Sequence, residues 1–154
     1  MENNDVIRRL RFIFDFDDDQ MIKIFSLAQL EVSREQVCSW LKKIDEPDVV
    51  AINDKKLATF LDGLISFKRG QKEGTVHRPE KKLSNNMIFK KLKIALALKD
   101  TDIIDIYQLI HMNISKHEIS ALFRKPGQRQ YRDCKDQFLR NFLYGLQVKY
   151  RGEF

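Results

Sequence analysis

Turn residues are scarce in this sequence of 154 residues: six glycines and three prolines are too few for the many tight connections of a β-sandwich or barrel. Cysteine is scarcer still. Cys38 and Cys134 stand too far apart, and are too few, to build a disulfide scaffold or a structural zinc site, so both are read as reduced thiols. No uninterrupted apolar run approaches the ~18 residues of a helical membrane span. Met1 to Asp5 are polar and acidic, where a signal peptide would be basic and then apolar. These absences predict a cytoplasmic chain with no membrane contact.

The signatures of catalysis are missing too. No Gly-rich phosphate loop, serine nucleophile elbow, HExxH helix or paired CxxC occurs. His111 and His117 are six apart rather than at the i, i+4 spacing of a helical ligand pair, and His77 lies far from both. Cys38 is read as a small hydrophobe beside core positions of its helix, and the run Asp17-Asp18-Asp19 as helix capping. The expectation is therefore a protein without enzymatic activity, metal or cofactor. What the chain does hold is an ordinary globular content of 43% hydrophobic and 32% charged residues, with 11 phenylalanines to fill a helical core.

An internal repeat organises it. Shifted by 82 residues, positions 3–70 align with 85–152 without a gap, and 17 of the 68 pairs are identical. Unrelated sequences of this composition would share about 4, so the chain is a duplication. The pairs include Asn3/Asn85, Asn4/Asn86, Asp18/Asp100, Ser33/Ser115, Asp54/Asp136, Gly63/Gly145 and Gly70/Gly152. Three segments follow: a first repeat over 1–70, a solvated linker over 71–84 that is rich in basic residues, and a second repeat over 85–154.

Each copy reads as four helices. Val6, Ile7, Leu10, Ile13 and Phe14 form a stripe at helical spacing, with Asn3 or Asn4 as its cap. A second stripe runs through Met21, Ile22, Ile24, Phe25 and Leu27. Ser33 with Gln36, and Ser115 with Glu118, are capping boxes that open a third helix. The acids kept in both copies, Asp18/Asp100 and Asp54/Asp136, are read as N-caps of the second and fourth helices. The Arg-Gly pairs at 69–70 and 151–152 give the fourth helix a terminal cation and a left-handed cap. Gly63 and Gly145 lie inside that helix, where glycine costs about 1 kcal/mol, which predicts a helix crossing too close for a Cβ. The fold class is thus all-α, a tandem repeat of two four-helix units.

The second and third helices of each copy are arranged like a helix-turn-helix, with the turn around Gln29 to Ser33. The turn of such a motif favours a residue that accepts a left-handed backbone; Asn113 fits that position and Glu31 fits it less well. Val37 and Trp40, with Ile119 and Leu122, would face the core. Arg34, Gln36, Ser39, Lys42 and Lys43 would then point outward, as would Lys116, His117, Ser120, Arg124 and Lys125. Three packed helices with a capped third can equally be plain scaffolding.

Charge gives an independent indication. Residues 1–70 carry a net −2 and residues 85–154 a net +6. Seven positions are basic in both copies, where chance predicts about 2: Arg8/Lys90, Arg9/Lys91, Arg11/Lys93, Arg34/Lys116, Lys42/Arg124, Lys43/Lys125 and Arg69/Arg151. The most distinctive segment, Phe123-Arg124-Lys125-Pro126-Gly127-Gln128-Arg129-Gln130-Tyr131-Arg132, sets four cations and an aromatic ring around a Pro-Gly turn. It could clamp phosphates and stack one base. The first copy has Asp45-Glu46-Pro47-Asp48 there, which repels phosphate, so the two copies are not expected to read a palindrome as equal half-sites.

The motifs Asn-Asn-x3-Arg-Arg-Leu-Arg, Leu-Glu-Val-Ser-Arg-Glu-Gln-Val-x2-Trp-Leu-Lys-Lys and Phe-Leu-Asp-Gly-Leu, with Ser-Ala-Leu-Phe-Arg-Lys-Pro-Gly in the second copy, resemble the YehS-like family of bacterial cytoplasmic proteins. The resemblance spans nearly the whole chain and implies two copies of one helical domain with no established activity. Two functions stay open on the sequence alone. One is binding of DNA or RNA through the third helix and basic loop of the second copy; the other is an adaptor that presents a groove to a protein partner.

Overall fold

The computed structural model describes residues 1–152, and these form eight α-helices with no strand among them. Residues 153 and 154, the end of the expected second repeat, lie outside the described residues. The helices are α1 (Asn3–Phe14), α2 (Asp18–Leu27), α3 (Arg34–Leu41), α4 (Asp54–Arg69), α5 (Asn85–Ala95), α6 (Asp100–Gln108), α7 (Lys116–Leu122) and α8 (Asp136–Arg151). Two compact units result: the first runs from Met1 to Leu83 and the second starts at Ser84. Residues 71–83 group with the first unit. Gln29 donates to the Thr75 carbonyl and accepts from the His77 amide, and the Leu83 amide donates to Asp54.

In the first unit α2 packs on α3 and α4, while α1 packs on α3 and α4; in the second α6 packs on α7 and α8, and α5 on α8. The apolar stripes fill both cores. Ile7, Leu10, Phe25, Trp40, Phe60 and Leu64 are buried in the first, and Phe89, Leu92, Tyr107, Leu122, Phe142 and Leu146 in the second. Phe25 sits 5.4 Å from Trp40 and 5.2 Å from Phe60, ring centre to ring centre. Its counterpart Tyr107 adds a hydroxyl that donates to the Phe138 carbonyl at 2.8 Å, so the polar end of a fully buried ring is satisfied. Burial pushes that phenol far above its ordinary range.

The kept residues hold the frame, in part by other means than capping. Ser33 and Ser115 do cap α3 and α7, accepting from the amides of Gln36 and Glu118, but only Ser33 forms the full box, with Gln36 accepting from its amide; Glu118 instead accepts from the Ser115 hydroxyl. The caps of α2, α4, α6 and α8, however, are Asp17, Asn53, Lys99 and Lys135, each one residue before the expected acid. Asp18 and Asp100 instead take the first helical turn and pair with a cation of the preceding helix. Arg11 meets Asp18 at 2.7 Å, and Lys93 meets Asp100 at 3.3 Å. Asp54 and Asp136 accept from the side chains of Asn3 and Asn85, both at 2.7 Å.

The Asn-Asn pairs do not cap α1 and α5 either. Those caps are Glu2 and Ser84, and the asparagines lie just inside the helices and reach across to the segment that returns from α3 to α4. Asn4 donates to the carbonyls of Lys42 and Val50 and accepts from the Ile52 amide. Asn86 donates to Leu122 and Arg132 and accepts from the Cys134 amide. Each asparagine is buried. One carboxamide offers the donors and the acceptor that an extended backbone needs when no strand lies beside it.

Left-handed residues occur at the same places in both units. Asp15/Ala97, Gln29/His111 and Asp48/Gln130 all have positive φ. The left-handed turn residue between the second and third helices is therefore Gln29 or His111, not Glu31 or Asn113, because the backbone reverses directly after α2 and α6 rather than beside the next cap. Gly152 ends α8 in the left-handed region, whereas Gly70 leaves α4 at φ 84°, ψ 160°, a region open in practice to glycine alone.

The glycine crossing is as expected. A Cβ on Gly63 would overlap the carbonyl oxygen of Ile24, and one on Gly145 would lie 2.6 Å from an Ile106 methyl and 2.7 Å from the Ile106 carbonyl oxygen. Gly63→Ala is expected to cost about 1–3 kcal/mol, the range for overpacking a tight interior, despite the helix propensity it gains. Gly145→Ala should cost less, since a side-chain methyl is its nearest obstacle. Urea unfolding of the two variants measures both values, and an unchanged or raised midpoint for Gly63→Ala would contradict the crossing.

Candidate nucleic-acid interface

The two third helices differ in what their polar residues have left to offer. On α3, Arg34 bridges Asp19 at 2.7 Å and Asp18 at 3.2 Å. Asp19, then Asp18, raises the Arg34 guanidinium above its ordinary value. Burial alone would push the Asp18 carboxyl up, but hydrogen bonds and charge from Arg11 and Arg34 outweigh it and leave the group below its usual range. That stabilisation is present above the ordinary aspartate value and is lost as pH falls through the lowered one. Gln36 is taken up by the capping box and Ser39 donates back to the Gln36 carbonyl. Lys42 and Lys43 do not point outward from the third helix, because they lie beyond its end. The helix ends at Leu41, Lys42 donates to the Pro47 carbonyl, and Lys43 stands exposed in the loop. The first repeat thus spends most of its candidate residues on itself.

On α7, Lys116 and His117 are exposed and Ser120 is half-buried. This helix ends at Leu122, so Arg124 and Lys125 belong to the following loop as well. That loop folds on its own backbone. Gln128 accepts from the Lys125 amide through its side chain, its amide donates to the Lys125 carbonyl, and the Tyr131 amide donates to the Gln128 carbonyl. Arg132 then returns to α7 by donating its amide to the Ala121 carbonyl, as Val50 does to Ser39 in the first repeat. Gly127 supplies a left-handed turn residue with open space around it. Arg124, Lys125, Arg129 and Arg132 are all exposed, and none has an acidic ion-pair partner among the described residues.

Two hollows flank Tyr131. One, of about 240 Å³, is lined by His117, Glu118, Ala121, Gln130, Tyr131 and Arg132. The other, of about 300 Å³, lies between the start of α5 and the loop and includes Lys90, Phe123, Arg124, Lys125, Pro126 and Tyr131. The fold therefore brings His117, Tyr131 and Arg132 together on one side, and Arg124, Lys125 and Tyr131 on the other. Lys116, Ser120 and Arg129 line neither. Lys90 and Met87 were absent from the residues picked out by sequence as contacts. The repeat alignment does single out Lys90, as the counterpart of Arg8, but only the folded loop shows what it faces.

The comparisons with known proteins bear on the whole chain. Residues 3–70 and 85–152 each match the family described as "Protein of unknown function (DUF1456)", with the same boundaries as the internal repeat. The chain belongs to the DUF1456 family. It is 39% identical over 150 residues to the uncharacterized protein YehS of Escherichia coli (strain K12), covering 97% of this chain and 96% of that one. No solved structure matches it. The DUF1456 repeat is thus a four-helix unit present twice. No helix is long and apolar enough to cross a membrane among the described residues, and no group of three or more His, Cys, Asp or Glu among them could hold a metal ion.

The two thiols have opposite surroundings. Cys38 is exposed on α3 rather than packed in the core, because the buried face of this short helix runs through Val37 and Trp40. Cys134 is buried, and burial, aided by the negative charge of Asp136, pushes its thiol up to about 12. At about pH 8 a thiol reagent is expected to consume one equivalent promptly and the second only on unfolding, and Cys38→Ser should abolish the prompt phase. Prompt reaction of both thiols would contradict these placements.

Proposed function

We propose that the second DUF1456 repeat binds nucleic acid through α7 and the basic loop after it, mainly by contact with phosphates, and that it does so without catalysing a reaction. The observation that carries this reading is a difference between matched cations. In the first repeat Arg8 engages Asp5 and the Lys42 carbonyl, Arg34 engages two aspartates, and Lys42 engages Pro47. Their counterparts Lys90, Lys116 and Arg124 have no such partners among the described residues and are exposed. Arg129 and Arg132 add two cations that replace Pro47 and Val50. Cations held in place by a folded loop, yet unneutralised, are the footprint of a polyanion site.

Fluorescence anisotropy against generic duplex DNA, single-stranded DNA and structured RNA tests this at about 50 and 200 mM salt, where counterion release separates phosphate contact from other binding. Binding should weaken by about a hundredfold over that range, as roughly four phosphate contacts would require. Replacing both Arg129 and Arg132 by Ala should weaken all sequences alike and reduce the salt slope by about 2. Replacing Lys42 and Lys43 of the first repeat should change little. Absence of binding at low salt, or loss confined to particular sequences, would contradict the proposal and turn attention to a protein partner.

A further inference from the structure

The hollow beside Lys90 is chemically unlike a plain phosphate clamp. Its wall combines Met87, Leu122, Phe123 and Pro126 with the ring of Tyr131, and its rim carries Lys90, Arg124 and Lys125; no acidic residue lines it. The apolar wall is rigidly held. Phe123 lies 5.5 Å from Phe89 in an edge-to-face contact, with the Lys93 amine 4.3 Å from its ring centre. Asn86, also in the wall, fixes the loop on both sides through the Leu122 and Arg132 carbonyls. Its volume of about 300 Å³ is at the lower end for small-molecule sites.

The first repeat serves as an internal control. At the matching place Asp5 stands for Met87 and Arg8 for Lys90, and the Arg8 guanidinium is tied to Asp5 and to the Lys42 carbonyl. Val49 stands for Tyr131 and Leu41 for Phe123, so the ring that could stack is absent as well as the loose cation. The second repeat has exchanged an internal ion pair for an apolar floor, an aromatic face and a cation with nothing to neutralise.

We infer that this hollow receives one unpaired nucleotide of a single-stranded nucleic acid, its base against Tyr131 and the Met87, Phe123 and Pro126 wall, its phosphate among Lys90, Arg124 and Lys125. The inference rests on the nucleic-acid reading above and narrows it to single strands. A base offers the flat apolar face that the wall matches, which inorganic phosphate and an acidic peptide lack. A base inside a duplex cannot reach the wall without leaving its stack.

Three labelled probes of equal length test it by anisotropy at low salt: a single-stranded oligonucleotide, the same backbone with abasic residues, and a duplex. The single strand should bind at least about tenfold more tightly than the abasic strand. Tyr131→Ala should weaken the single strand by about tenfold and leave the abasic strand unchanged, while Tyr131→Phe keeps the difference. Met87→Asp, which installs the acid of the first repeat at the half-buried Met87 position in the wall, should lower single-strand binding without relying on a change at the loop, and thermal unfolding checks that each variant is folded. Equal binding of normal and abasic strands, or duplex binding tighter than single-strand binding, would overturn the pocket while the phosphate reading stands. Failure of all three probes to bind would overturn both.

Discussion

One buried carboxamide in each repeat does what an adjacent strand would do elsewhere. The chain between the third and fourth helices returns in an extended path, and its backbone groups need partners away from water. Asn4 and Asn86 supply them, each bonding two carbonyls and one amide from just inside the first helix of its unit. Asn3 and Asn85 extend the arrangement to the next carbonyl, at Ile52 and Cys134, and to the acid that opens the fourth helix. Truncation of either buried asparagine leaves those groups unpaired, at about 1–3 kcal/mol for each.

That anchoring explains how the copies could diverge without losing the fold. The return segment is fixed at its far end by the asparagine and at Val50 or Arg132 by a bond to the third helix, and a left-handed residue at Asp48 or Gln130 sets the bend. The residues between are held mainly by hydrogen bonds within the loop, so most of their side chains are exposed and do not enter the core. In one copy they are Asp45-Glu46-Pro47-Asp48 and in the other Gly127-Gln128-Arg129-Gln130. The rest of the frame is kept: the Ile24/Gly63 and Ile106/Gly145 crossings, and the ion pairs of Arg11 with Asp18 and Lys93 with Asp100. The outcome is a duplicated scaffold with an acidic loop in the first copy and a cationic one in the second.

Much of this was legible in the sequence where the signal is local. Helical stripes, the two serine caps and the two glycine crossings follow from spacing and residue size alone. The asparagine pair was misread because an asparagine at the start of a helix has the same chemistry whether it caps that helix or reaches a distant loop. The caps next to Asp18 and Asp54 shifted by one residue for a related reason: Asp17 and Asn53 are equally good caps, and the kept acids are kept for partners remote in sequence. Gln29 and His111 carry left-handed backbones without being glycine or asparagine, so composition gave no warning. The hollow beside Tyr131 was out of reach because it forms only when the start of α5 meets a loop some forty residues later.

The central claim, that the asparagine side chain holds the return segment, is tested most directly by hydrogen exchange at the backbone amide of Cys134 in the native protein and in Asn86→Ala. That amide has the asparagine oxygen as its acceptor at 2.8 Å and lies in a buried setting. In the native protein it should exchange as slowly as the core amides of α8. In Asn86→Ala it should exchange many-fold faster while the amides of Leu139 and Phe142 keep their protection. Rapid exchange of Cys134 in the native protein, or protection that survives the substitution, would show that something other than the carboxamide holds the loop.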